Sequence, residues 1–140
     1  MFGKILLAVD GSDHAIHSAK VAGDLARTMK SEMVRIVVAY SPIPPFLGEP
    51  NMQIALDARL KEAEEILQAS IKAVGEIPGE IHTELLEGSP AEAIIEVANT
   101  RHSDVIVMGS RGMSTLGGLL LGSTSQKVVS HAPCPVLIVR

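Results

Sequence analysis

At 140 residues the chain is the size of one compact domain. Such a chain buries about two thirds of its unfolded surface and needs no disulfide or metal to fold. Its 46% apolar content and mean hydropathy of +0.29 exclude a disordered protein. No apolar run reaches the roughly 20 residues that a membrane-crossing helix requires. The net charge is −4, aromatics are 2%, and no Lys/Arg cluster occurs. A nucleic-acid surface, which needs a cationic footprint and stacking platforms, is therefore not expected.

The opening Met1-Phe2-Gly3-Lys4 leads into five apolar residues, Ile5 to Val9, and meets Asp10 at once. That run is too short for a signal peptide and reads as a buried strand over Gly3–Val9. A single cysteine, Cys134, forbids an internal disulfide. With no export signal read, the expected compartment is the reducing cytoplasm.

Ser12 to Met29 places Ala15, Ala19, Ala22, Ala26 and Met29 at helical spacing. This stripe of small residues predicts a helix packed close to a sheet. Met33–Tyr40 is apolar and β-branched, which predicts a second strand. Pro42, Pro44, Pro45 and Pro50 then predict a stiff loop without regular structure. A long amphipathic helix follows, about Met52 to Val74, with Leu56, Leu60, Ala63, Leu67, Ile71 and Val74 on one face. After Gly79, the segment Glu80–Glu87 alternates as a strand with one more exposed face.

Ser89-Pro90-Ala91-Glu92 has the form of a capping box with proline at the first helical position. The helix it opens extends to about Thr100. Asp104–Met108 is a fourth strand, and Gly109 to Leu121 a glycine-rich loop. Ser123 to Ser130 is a short helix, and Val136–Val139 the last strand. Strands alternating with helices predict an α/β fold with a parallel sheet covered on both sides. The near-continuous Val, Ile and Leu of most strands agree with burial on both faces.

Ligands of open α/β sheets bind beyond the C-terminal strand ends. Three loops there carry chemistry: Asp10-Gly11-Ser12, the proline loop after Tyr40, and Gly109 to Ser123. The first sets a carboxylate after a buried strand. The third offers backbone N–H groups with little side-chain obstruction, followed by a helix N-terminus with partial positive charge. Gly109-Ser110-Arg111-Gly112, then nine residues, then Gly122-Ser123-Thr124 forms its core. The glycines permit positive φ and a close approach to phosphate. Ser123 and Thr124 offer hydroxyls, and Arg111 a cation. An ordinary loop fits the same residues, with Ser123 as a plain N-cap and Ser123 with Gln126 as a capping box. On loop composition alone both readings stand.

Two familiar motifs fail. Gly117 to Thr124 has the glycine spacing of a P-loop but lacks its lysine. Asp10-Gly11-Ser12-Asp13 lacks the G-x-G-x-x-G of a dinucleotide site. A receiver domain is not favoured either, since Glu87-Gly88 stands where its acceptor aspartate belongs.

The chain resembles the ATP-binding branch of the universal stress protein family. Ile5-Leu6-Leu7-Ala8-Val9-Asp10-Gly11-Ser12 looks like the family's first strand and turn. The signature G-x2-G-x9-G-[S/T] is met by Gly109, Gly112, Gly122 and Ser123. Ala132-Pro133-Cys134-Pro135-Val136-Leu137-Ile138-Val139 looks like its last strand, so the likeness covers the whole chain, residues 1–140, as one domain.

The resemblance implies an open parallel five-stranded sheet of order 3-2-1-4-5, Rossmann-like in the manner of the adenine nucleotide alpha hydrolases. It implies ATP as ligand, with adenine against Ala8, Val9 and Tyr40. Ribose and phosphates would lie along Gly109, Arg111, Gly112, Gly122, Ser123, Thr124 and Ser125, and Met108 would also touch the nucleotide. Asp10 would sit near the ribose or a phosphate-bound Mg²⁺, an ion that needs only one or two carboxylates beside phosphate oxygens and water.

Other residues read more plainly. Asp10 could also form the turn into the first helix, although Ser12 is as good a cap. His14 and His17 share a helix face at metal-ligand spacing, but a solvated face accounts for them. His82, His102 and His131 are scattered and carry no assigned role. Cys134, between two prolines, reads as a small packed hydrophobe rather than a nucleophile.

Val136–Val139 is apolar with no covering helix after it. At a sheet edge it would pair with a second copy, and the resemblance implies the same homodimer. The function expected is a nucleotide-dependent stress-response regulator. No catalytic residue is assigned, and at most slow ATP hydrolysis or autophosphorylation is expected. An interaction module of the same fold that binds no nucleotide is the alternative.

Overall fold

The computed structural model describes residues 1–110 and 121–140. The element order is β1 (Lys4–Ala8), α1 (Asp13–Met29), β2 (Met33–Tyr40), a 3₁₀ turn (Pro45–Leu47), α2 (Asn51–Val74), β3 (Glu80–Glu87), α3 (Pro90–Thr100), β4 (Val105–Gly109), α4 (Ser123–His131) and β5 (Val136–Val139). The five strands form one parallel sheet of order β3-β2-β1-β4-β5. Leu7 stands level with Ile36 of β2 on one side and Val107 of β4 on the other, so β1 is central.

Period-two alternation sorts the central strands between two cores. Ile5, Leu7 and Val9 join Val34, Ile36, Val38, Val105 and Val107 on one face. There α1 brings Ala15, Ala19, Ala22 and Ala26, and α2 brings Ala63, Leu67 and Val74. Leu6, Ala8, Val37, Ile106 and Met108 face the opposite side. They are covered by Ala91, Ile94, Val97 and Ala98 of α3 and Val128 of α4. Each fully buried Ile or Leu of β1 contributes about 1.5–3 kcal/mol relative to exposure. The alanine stripe has the expected consequence, because Ala19, Ala22 and Ala26 are fully buried. With so little side chain between them, α1 lies close against its neighbours.

The differences from expectation are local. The proline segment is not wholly irregular. Pro45 opens a one-turn 3₁₀ helix, a position where its missing N–H costs nothing. Ser89 stands at the N-cap of α3 and Pro90 at the first position, but the serine side chain makes no capping bond. Ser89 is exposed, so water can serve its hydroxyl. The Ser123–Gln126 capping box does not form either. Gly122 is the N-cap, which shifts the frame by one residue. Gln126 Nε2 turns back to donate to the Leu121 carbonyl at 3.1 Å instead.

Strand β4 starts one residue later than expected and runs to Gly109. Asp104 stays outside the ladder, and its carboxylate accepts from Lys4 N at 2.8 Å. Strands β3 and β5 are the two edges, and Leu137 of β5 is 39% exposed. No helix of the described residues is long and apolar enough to cross a membrane.

Candidate functional site

The strand order places β1 beside β4, and each leads into a helix on a different face of the sheet. This is the switch point at which a parallel sheet opens a crevice. A cleft lies there, enclosing about 580 Å³ of atom-free space partly open to solvent. Its floor is apolar and built of small side chains: Ala8 from β1, Val37 and Ala39 from β2, Met108 from β4, Ala15 from α1 and Ile94 from α3. Its rim is polar, with Asp10, Ser12, Thr124 and Ser125, together with Val9, Pro90 and Gly109. The floor can take a flat apolar ring, and the rim can take hydroxyl and anionic groups.

Local sequence sets the rim. The first strand gives way to a turn in which Ser12 N donates to Asp10 Oδ1 at 3.0 Å. Ser12 then caps α1, its Oγ accepting from Ala15 N at 3.2 Å. Thus Asp10 serves the turn as well, but through one oxygen only, and the residue is exposed at the cleft. Gly11 lies between them at φ 85°, a left-handed conformation that favours glycine. A Cβ there would stand 3.0 Å from Ile66 Cδ1 of α2. The turn is therefore pressed under α2 and held in place.

On the opposite wall, α4 begins at the cleft with Thr124 and Ser125 in its first turn. The Ser125 hydroxyl donates to the Gly109 carbonyl at 2.9 Å. Ser110 N donates to Val139 O, and Gly122 N to Ser110 O, both at 2.8 Å. Gly122 has φ −70° and ψ 168°, ordinary extended backbone. The positive φ allowed to the glycines is not used at this one.

A second cleft adjoins the first and shares Asp10, Ala39, Pro90 and Thr124 with it. Tyr40, Ser41, Arg59, Glu62 and Ile66 complete much of its lining. Arg59 Nη1 donates to the carbonyls of Ser41 and Pro42, the latter at 3.0 Å. This ties the segment after β2 to α2. The Tyr40 carbonyl accepts from Gly88 N at 2.8 Å.

Of the residues singled out in the sequence, Ala8, Val9, Asp10, Met108, Gly109, Thr124 and Ser125 line the first cleft together. Tyr40 lines the adjoining one. Gly122 and Ser123 stand at the start of α4, next to Thr124, and are not among the described lining residues of either cleft. Arg111 and Gly112 lie outside the described residues. Ala15, Val37, Ala39, Pro90, Ile94, Arg59 and Glu62 were not anticipated as lining residues. The rule of C-terminal strand ends could have found Pro90, since it follows β3 as Asp10 follows β1.

His14 is half-buried and His17 exposed. Among the described residues no group of three or more His, Cys, Asp and Glu could hold a metal ion. Cys134 packs against the second core. Burial, and then the nearby Asp104 carboxylate, push its thiol above the ordinary value.

Comparison with known proteins agrees with this architecture. The model of the universal stress protein family matches residues 1–140. A universal stress protein of Thermus aquaticus, from the 3′ region of QAH/OAS sulfhydrylase, is 49% identical over 140 residues and covers both chains completely. The solved structure of the universal stress protein UspA from Lactobacillus plantarum superimposes with a TM-score of 0.87 at 27% identity, over 99% of this chain and 98% of that one. A universal stress protein solved in complex with cAMP superimposes with a TM-score of 0.68 at 27% identity, over 98% and 96% of the two chains. By its sequence signature, its strand order and these matches, the chain belongs to the universal stress protein family.

Proposed function

We propose that the chain binds an adenine nucleotide, ATP, in the cleft between β1 and β4. It acts there as a nucleotide-dependent stress-response regulator in the cytoplasm, folded as one domain. The observation that carries this reading is the lining of that one cleft. A floor of small apolar side chains suited to a base meets Asp10 on one wall and the first turn of α4 on the other. The fold relative in complex with cAMP supports an adenine nucleotide as the class of ligand.

The base would lie near Ala8, Val9 and Tyr40. Ribose and phosphates would run along Gly109, Arg111, Gly112, Gly122, Ser123, Thr124 and Ser125, with Met108 beside them in the apolar floor. A Mg²⁺ ion fits as a partner of the nucleotide rather than of the protein. Asp10 offers an exposed carboxylate, and phosphate oxygens and water would supply the other ligands. Asp10 is also the only titratable side chain among the described residues of this cleft. Phosphoryl transfer depends on positioned bases and cations, so hydrolysis or autophosphorylation is expected to be slow.

The β5 edge supports a second part of the reading, a homodimer formed by pairing β5 with a second copy. Light scattering at micromolar concentration should give twice the chain mass, and a monomer would count against the pairing.

Replacing Ala39, which lines both clefts, with tryptophan tests the nucleotide site. Calorimetric titration should show ATP binding to the parent chain and its loss in Ala39→Trp, with the thermal transition retained. Unchanged affinity in the variant would place the nucleotide elsewhere. No binding by the folded parent chain, with or without Mg²⁺, would favour an interaction module of the same fold.

A further inference from the structure

We propose that Ser125 is a positioning residue that sets the α4 wall of the cleft, and not a hydrogen-bond donor to the ligand. The inference rests on the nucleotide reading above and changes the role that the family resemblance implies for this residue. Ser125 lines the cleft, yet it is only 2% exposed. A hydroxyl carries one proton. In Ser125 that proton is committed to the Gly109 carbonyl at 2.9 Å. It cannot be offered to a phosphate oxygen at the same time.

The bond joins two particular places. Gly109 is the last residue of β4, and Ser125 lies in the first turn of α4. Two backbone bonds meet at the same joint, Ser110 N to Val139 O and Gly122 N to Ser110 O, both at 2.8 Å. Three hydrogen bonds therefore tie the end of β4, the end of β5 and the start of α4 together. The side-chain bond is the one of the three that truncating a side chain removes.

No side chain caps α4 among the described residues, since Gly122 holds that position. Within the helix its first N–H groups have no partner, and among the described residues no side chain accepts from them. Where they point depends on how the helix is seated on β4, and Ser125 controls that seat. The base end of the cleft is built by Ala8, Val37 and Ala39 on other elements. Loss of Ser125 should therefore be felt by the phosphates and hardly by the base.

The test compares Ser125→Ala, Ser125→Cys and the parent chain. Thermal unfolding is followed without nucleotide, and ATP and adenosine are titrated well below the transition. In Ser125→Ala the nucleotide-free transition should fall, because the bond exists without ligand. Its ATP affinity should weaken about five- to tenfold, the order of a helix-terminus interaction with an anion that is lost when α4 shifts, while adenosine affinity stays within about twofold. Ser125→Cys keeps the size and a weaker donor, so it should lie between the two.

An unchanged nucleotide-free transition with weakened ATP binding would make Ser125 a direct ligand and overturn the proposal. A lowered transition with ATP and adenosine affinities both unchanged would make it a purely structural contact, again overturning it. Failure of the parent chain to bind ATP is a separate result. It refutes the nucleotide reading itself and leaves nothing for Ser125 to position.

Discussion

Gly23 sits inside α1, where glycine costs up to about 1 kcal/mol relative to alanine. Helix propensity alone predicts that Gly23→Ala stabilises the protein. The structure predicts the opposite. A Cβ at Gly23 would stand 2.2 Å from the Val74 carbonyl oxygen and 3.0 Å from its carbon. Both are backbone atoms at the end of α2, so no side chain can swing aside. To restore ordinary contact the end of α2 must retreat by about 1 Å.

That retreat would disturb Val74 and Leu67, which are 0% and 3% exposed. It would also strain the bonds by which Arg27 Nη1 caps α2 at the carbonyls of Val74 and Glu76, both 2.9 Å. Overpacking costs about 1–3 kcal/mol, and a weakened hydrogen bond costs about 1 kcal/mol more. After the propensity gain is subtracted, the net destabilisation is about 1–3 kcal/mol. At this chain length that lowers the thermal midpoint by about 4–10 °C. Calorimetry or urea titration of both proteins measures it directly. A variant more stable than its parent by about 1 kcal/mol would show that α1 and α2 do not approach as closely as described.

Two further predictions concern charge. Glu84 Oε1 accepts from Arg35 Nη1 at 3.0 Å, and from Arg101 Nε at 3.1 Å and Nη2 at 2.9 Å. The Arg35 and Glu84 side chains are 12% and 17% exposed. Glu84→Gln leaves the largely desolvated Arg35 without its anion and should cost about 2–3 kcal/mol, somewhat less than breaking a fully buried pair. A loss below about 0.5 kcal/mol in urea unfolding would mean that the pair is fully hydrated.

The raised Cys134 thiol makes a prediction in pH. An acid whose folded value is raised favours its neutral form in the native state. Its contribution is fully present below the ordinary thiol value near 9.0 and is lost as pH rises through the higher folded value. Stability should therefore fall more steeply in that alkaline range for the parent chain than for Cys134→Ala. Iodoacetamide should also label the folded thiol more slowly than a free thiol at pH 8. Equal slopes and equal labelling rates would contradict the burial argument.

Much of the fold could be read from the chain because its punctuation is strong. β2, β3 and β5 have the bounds that flanking Pro, Gly and charged residues predict. Two-sided burial followed from β-branched runs that do not alternate. The strand order did not come from periodicity, which is blind to which strands are neighbours; the family resemblance supplied it. For the cleft, local chemistry pointed to Asp10, Gly109 and Thr124, because carboxylates, glycines and hydroxyls after strands are conspicuous.

Ala15, Val37, Ala39 and Ile94 were hidden, since their residue types fit any core and only the three-dimensional juncture exposes them. Arg59 was hidden for another reason. It looks like part of the wet face of α2, and its bonds to Ser41 and Pro42 depend on how the proline segment folds back. The cap of α4 is ambiguous in the sequence because two neighbouring residues, Gly122 and Ser123, both make good N-caps. The choice between them is made by the joint to Ser110 rather than by propensity.

The most direct test of the nucleotide reading is to denature the purified protein, identify any nucleotide in the supernatant by HPLC, and then titrate the nucleotide-free chain with ATP, with and without Mg²⁺. The account predicts a released adenine nucleotide or saturable ATP binding that Ala39→Trp abolishes. A folded chain that releases no nucleotide and binds no ATP under either condition would contradict it.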